Sequence, residues 1–156
     1  LRLLQVCRAQ NTPVITFVNK MDREVREPMD LVDEIERTLG MPVVPCTWPV
    51  GMGKLFKGVF DLRHDRMRVF QAGEDRVGGH EIIEGLDSAE IKQRFGDSSN
   101  IFDHAKQEME LVRGVSPEYA REEFLAGKQT PLFFGSAINN FGVQEVLDAQ
   151  IGRAHV

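Results

Sequence analysis

The chain has 156 residues, of which 42% are hydrophobic, 28% charged and 8% aromatic, and its formal net charge is −5. That length suits one domain or one and a half, and the balance excludes a disordered tail, a collagen-like repeat and a disulfide-rich mini-protein. No apolar run approaches the roughly 20 residues that span a bilayer, and a negative net charge creates no global field that would draw nucleic acid.

Leu1 to Gln10 reads as helix but opens without an N-cap or first-turn acids, so Leu1 is expected to lie inside a longer helix. Pro13 to Val18 is a short, β-branched-rich and nearly unbroken apolar run, the pattern of a strand covered on both faces in a parallel sheet. A polar turn follows. Pro28 then opens a helix with Leu31, Val32, Ile35 and Leu39 on one face, and Gly40 ends it. Helix, buried strand, helix is the rhythm of a doubly wound α/β sheet.

From residue 42 to about 85 the style changes. Val43 to Val50, Leu55 to Leu62 and Met67 to Gln71 are separated by Gly51-Met52-Gly53 and His64-Asp65, the punctuation of antiparallel hairpins. Gly73, Gly78 and Gly79 mark a loop. Three helices are expected next, near Ser88 to Phe95, from Asn100 to Val112, and from Ser116 to Ala126. The second repeats Ile101, Ala105, Met109 and Val112 near the helical period, and the third has Ser116 as N-cap, Pro117 at its first position and Gly127 past its end. Strands followed by helices predict a small α+β unit inserted into the α/β domain. Residues 81–123 hold 5 basic and 11 acidic groups, so the helical half is either an ordinary solvated face or an acidic docking surface. The α/β rhythm resumes at Pro131-Leu132-Phe133-Phe134, a second short apolar strand, and a helix begins at Gly142. Its period breaks at Ile151-Gly152-Arg153-Ala154-His155-Val156, which is what the adapter string ATC GGA AGA GCA CAC GTC would encode. Residues 151–156 are therefore expected to be a sequencing scar. Cys7 and Cys46, each in an apolar stretch, are expected to be reduced core thiols in a cytoplasmic protein.

Asn19-Lys20-Met21-Asp22 directly follows the first buried strand, and the carboxyl end of such a strand is where a doubly wound sheet binds ligands. The residue types suit guanine. One carboxylate at Asp22 accepts from both N1–H and the exocyclic amine, whereas adenine offers an acceptor at N1. Discrimination by such pairing reaches roughly 10⁴-fold. Lys20 can lay its apolar stem over the purine face, and Asn19 can reach the N7 edge. A polar turn after a strand is the plainer reading of these four residues. Against it, Gly135-Ser136-Ala137 follows the second buried strand, where small residues let a backbone N–H approach the guanine O6.

These residues resemble the translational GTPases. Asn19-Lys20-Met21-Asp22 is similar to the family's base-recognition motif, and Gly135-Ser136-Ala137 to its second guanine motif. Asp22-Arg23-Glu24-Val25-Arg26-Glu27-Pro28-Met29-Asp30 and the segment Thr47-Trp48-Pro49-Val50-Gly51-Met52-Gly53-Lys54-Leu55-Phe56-Lys57-Gly58-Val59-Phe60 look like the release-factor branch rather than the elongation factor G branch. Ser136 stands where that branch more often has Thr, at a position where the backbone makes the contact. The resemblance runs from about Leu1 to Ala149 and implies the C-terminal half of a P-loop-type GTPase domain in residues 1–41 and 131–150, with an inserted α+β subdomain at 42–130. It accounts for the 113 residues between Asp22 and Ser136, far more than one helix and its loops require. It implies GTP or GDP as ligand, with Asn19, Lys20, Asp22, Ser136 and Ala137 as the binding residues. It also implies the ribosome with its stalk protein and class-I release factors as partners, and recycling of those factors at translation termination as the task. In the family the Mg²⁺ ligand, the switch segments and the water-positioning His precede these motifs, so this piece is expected to be inactive alone.

Gly51-Met52-Gly53-Lys54 is the nearest approach to a phosphate-binding G-x-x-x-x-G-K-[ST] loop, but its first Gly is too close and Leu55 replaces the Ser/Thr, so a hairpin turn is expected. His64, His80 and His104 show no metal-ligand spacing and read as surface residues. Asp30, Asp33, Glu34 and Glu36 read as a solvated helix face. Two rival functions remain open on the residues. One is elongation factor G-like translocation or ribosome protection, and the other is a non-catalytic ribosome-docking module.

Overall fold

The computed structural model describes residues 13–19, 26–70, 81–85, 89–96 and 99–135. A three-stranded parallel sheet has β1 (Thr16–Val18) and β2 (Val43–Pro45) on either side of β7 (Thr130–Phe134). Strand β7 is buried along its whole length because it is the central strand, while β1 at the edge is only half-buried. Between β1 and β2 runs helix α1 (Pro28–Leu39), with Pro28 in its first turn and Gly40 ending it in the left-handed conformation, φ 64°. Val32 and Leu39 are buried and Leu31 and Ile35 pack at the rim, as the periodicity predicts. Of the four acidic residues of this helix, Asp30 and Asp33 are exposed, whereas Glu34 pairs with Arg26 and Glu36 accepts the Val43 N–H at 3.2 Å.

The second sheet is antiparallel, in the order β3 (Thr47–Val50), β4 (Gly58–Asp61), β5 (Arg66–Val69), β6 (Ile82–Glu84). The predicted single strand from Val43 to Val50 is therefore two strands in two sheets. Cys46 is the switch: its N–H donates to Leu132 O of β7 at 2.8 Å, and its carbonyl accepts from Leu62 N beyond β4 at 3.0 Å. Residues Val43–Pro45 thus belong to the parallel sheet, and the antiparallel unit starts at Thr47. Strand β6 falls between the expected loop and the first expected helix of the insert. Its three residues are too few for alternation to register, yet Ile83 is buried opposite Met67.

Gly51 to Leu55 forms the β3–β4 connection, closed by a single 3₁₀ turn at Gly53–Leu55, so the hairpin reading of Gly51-Met52-Gly53-Lys54 holds. Helices α2 (Ala89–Phe95) and α3 (Ser99–Val115) follow near their predicted bounds. Ala105, Met109 and Val112 of α3 are buried as expected, Phe102 joins them, and Ile101 is half-buried. The last helix departs from expectation. Ser116 does not cap a helix; its N–H continues the preceding turn by donating to Val112 O at 2.8 Å, and α4 is only Arg121–Leu125. The buried Gln129 holds the intervening chain away from helix, with Oε1 accepting the Ala120 N–H at 2.7 Å and Nε2 donating to Glu118 O at 3.4 Å. Gly127 follows with φ 71°, past the helix end as predicted.

One core joins both sheets. Val43, Leu132 and Phe134 of the parallel sheet pack in the same cluster as Trp48, Val59, Met67 and Ile83 of the antiparallel sheet and Phe102, Ala105 and Met109 of α3. Cys46 is buried, as expected of a core thiol. Cys7, His80, the two terminal helices and residues 151–156 lie outside the described residues.

Candidate functional site

The candidate site is built at the carboxyl ends of β1 and β7. The two strands run parallel with Val18 opposite Phe134, and one residue further on the Gly135 N–H donates to Val18 O at 3.0 Å. Asn19, exposed, leaves β1 at that end, and Gly135, buried, leaves β7 beside it. Two motifs more than a hundred residues apart in sequence thus emerge from neighbouring strands at one edge of the sheet. Lys20, Met21, Asp22, Ser136 and Ala137 lie outside the described residues.

The position of β7 at this edge is fixed from several directions. At its start, the Thr130 hydroxyl donates to Val14 O at 2.7 Å and stands 2.8 Å from Thr16 Oγ1, tying β7 to β1. At its end, Phe134 N–H donates to Thr47 Oγ1 at 2.9 Å. That hydroxyl occupies the place a further β2 backbone carbonyl would take had the chain not switched sheets at Cys46. Trp48, wholly buried, sets its ring against Phe134 edge-to-face, with centroids 5.4 Å apart. The residue before Gly135 is therefore held by a hydrogen bond and an aromatic contact from the antiparallel unit.

The histidines divide. His64 is an exposed turn residue whose Nδ1 lies 2.7 Å from Asp61 Oδ2, while Asp61 Oδ1 accepts the backbone N–H groups of Arg63 and His64 at 2.9 and 3.1 Å. Asp61 closes the β4–β5 turn, so the surface reading of His64 stands. His104 is also exposed, but it sits 3.3 Å from Glu108, which is buried. Burial pushes the Glu108 carboxyl up, His104 and the Trp48 N–H pull it back, and Glu27 pushes it further up. Charge counting alone assigns Glu108 to an acidic surface; the structure puts it in the apolar stripe of α3, three residues past Ala105. That placement is legible as a carboxylate at a core position with a histidine one turn before it. Glu110, Glu122 and Glu123 are exposed.

Among the described residues no helix is long and apolar enough to cross a membrane. Residues 1–155 match the family model of the elongation factor Tu GTP binding domain. The chain is 65% identical over 153 residues to the peptide chain release factor 3 of Nitrosomonas europaea, covering 97% of this chain and 28% of that protein. It is 63% identical over 155 residues to the peptide chain release factor 3 of Bordetella petrii, with coverage of 99% and 28%. The chain thus spans a little over a quarter of the length of these curated relatives. A crystal structure of a protein from Thermus thermophilus superposes with a TM-score of 0.60 at 19% identity, over 95% of this chain and 23% of that one, a likeness of fold.

Proposed function

The chain belongs to the elongation factor Tu GTP-binding domain family, and from that premise we propose that it is the guanine-recognising part of a ribosome-associated GTPase that recycles class-I release factors at translation termination. The observation that carries this reading is the Gly135 N–H bonded to Val18 O, which sets the starts of both guanine motifs side by side at the carboxyl edge of a parallel sheet. The identity of 60–65% to several proteins named peptide chain release factor 3 supports the termination step over translocation.

In this reading the Asp22 carboxylate accepts both N1–H and the exocyclic amine of guanine, Lys20 covers the purine face with its stem, Asn19 serves the N7 edge, and the backbone at Ser136 and Ala137 donates to O6. The cross-links at Thr47 and Trp48 hold the β7 side in place before nucleotide arrives. Bound GTP supplies the phosphoryl bond that is hydrolysed, and Mg²⁺ with the phosphates is the task of segments that precede these motifs in the family. Gly51 to Lys54, occupied as a hairpin connection, contributes nothing to phosphate binding. The 156 residues alone are accordingly inactive in hydrolysis and bind GTP weakly. The inserted unit, residues 42–130, carries the antiparallel sheet and α2 to α4. Its exposed Glu110, Glu122 and Glu123 are the acidic surface offered to the ribosomal stalk.

The test is made on the complete protein that contains this chain. With GTP it should accelerate dissociation of a class-I release factor from ribosomes that have already released their peptide. Failure there, together with acceleration of tRNA–mRNA movement in an elongation assay, would replace the termination reading by the translocation one.

A further inference from the structure

Helix α3 carries an imidazole and a carboxylate one turn apart, with His104 Nε2 3.3 Å from Glu108 Oε1. Spacing of four residues puts both on one helix face. A third group arrives from elsewhere in the chain. Glu27 is the N-cap of α1, makes no side-chain cap bond to that helix, and brings its carboxylate to the same point. One ligand atom from each of the three lies within 4.8 Å of the others. They line a cleft of about 250 Å³ whose walls include Pro28, Pro49 and Ile101.

The chemistry of this set is specific. Glu108 is only 8% exposed, and two carboxylates converge there on one imidazole between apolar walls. Like charges brought together repel, and a divalent cation among them turns that cost into attraction. One imidazole nitrogen with two carboxylate oxygens is a borderline donor set that suits Zn²⁺ better than Ca²⁺ or Mg²⁺, which take oxygen ligands in greater number. Ligands at the usual Zn²⁺ distances stand roughly 3.4 Å apart. His104 and Glu108 already meet that spacing, and Glu27, on an exposed side chain, stands within 4.8 Å of both. Behind them, the Trp48 indole N–H donates to Glu108 Oε1 at 3.5 Å, the outer hydrogen bond that orients a metal-binding carboxylate.

We propose that Glu27, His104 and Glu108 form a three-residue site for a divalent transition-metal ion of the zinc class, its remaining coordination position facing the cleft. None of these three residues is among those proposed for guanine or for Mg²⁺ on nucleotide phosphates. Trp48 is the chain's single tryptophan and touches the site directly, so it reports occupancy.

The experiment titrates the full, metal-stripped chain with Zn²⁺ alone by calorimetry, and with Co²⁺ while Trp48 emission and visible absorption are followed. One equivalent should bind saturably, and Co²⁺ should quench Trp48. His104→Ala and Glu27→Gln should each weaken Zn²⁺ binding by at least about tenfold, while Glu110→Gln, exposed on the same helix, should leave it unchanged. Both ligand substitutions fall at exposed positions, and circular dichroism checks each fold independently. No saturable binding, or binding that keeps full affinity in both ligand variants, would overturn the site and leave a plain His104–Glu108 ion pair.

Discussion

Cys46 marks the point where one residue changes sheets. Its N–H serves β7 and its carbonyl serves the chain after β4, so its side chain is pinned inside at 2% exposure. Burial pushes the thiol up to about 12, against the pull of Arg63. A raised folded-state value means that the thiol stays protonated where a free one ionises. Its contribution to stability is present below about pH 9 and is lost as pH climbs towards about 12. The thiolate is the reactive form, so at pH 8 the native chain should leave Cys46 unmodified by iodoacetamide, and urea should expose it. Peptide mapping checks this, and labelling of Cys46 at the rate of a free thiol in the folded chain would contradict the burial.

At the scale of elements, most boundaries are written in patterns that depend only on near neighbours. Pro28 and Gly40 bracket α1, and the α3 stripe at Ala105, Met109 and Val112 faces the core, because capping and helical period are local properties. The misses share a cause at longer range. Nothing in Val43 to Val50 tells that three residues pair with a strand near residue 131 and four with a strand near residue 60. Likewise, Ser116-Pro117 has every local mark of a helix start, and the distant side chain of Gln129 overrides it. The hairpin between β4 and β5 carries a constraint of its own. Gly58 has φ 151°, and a Cβ there would stand 2.1 Å from the Arg68 carbonyl oxygen across the ladder. Gly58→Ala should therefore cost more than about 1 kcal/mol in urea unfolding, because the opposing atom is backbone and has no rotamer to give. A change within a few tenths would show that β4 and β5 are less tightly paired than their register implies.

The antiparallel unit and the parallel sheet share one core, which reaches Phe134 at the end of β7. Thr47 and Trp48 open β3 and grip Phe134, the last residue of β7. A unit attached in this way cannot shift without disturbing the strand that leads into Gly135. The base-recognition chemistry proposed for Asn19 to Asp22 is read from residue types, which state their donors and acceptors directly. The bond between Gly135 and Val18 is beyond reach of a linear reading, since it requires the register of two strands separated by the whole insert. The acidic face is legible only in part: charge counting treats Glu108 and Glu110 alike, whereas the helix turns one inward and the other outward.

The central claim is that this chain selects guanine through Asp22, and nucleotide preference tests it most directly. GTP and XTP affinities are measured for the complete protein and for its Asp22→Asn variant. Asn presents an NH₂ donor to the 2-oxo group of xanthine and loses the acceptor pair that the guanine edge requires. The account predicts that the variant prefers XTP while the unaltered protein prefers GTP. A variant that keeps GTP ahead of XTP would contradict it.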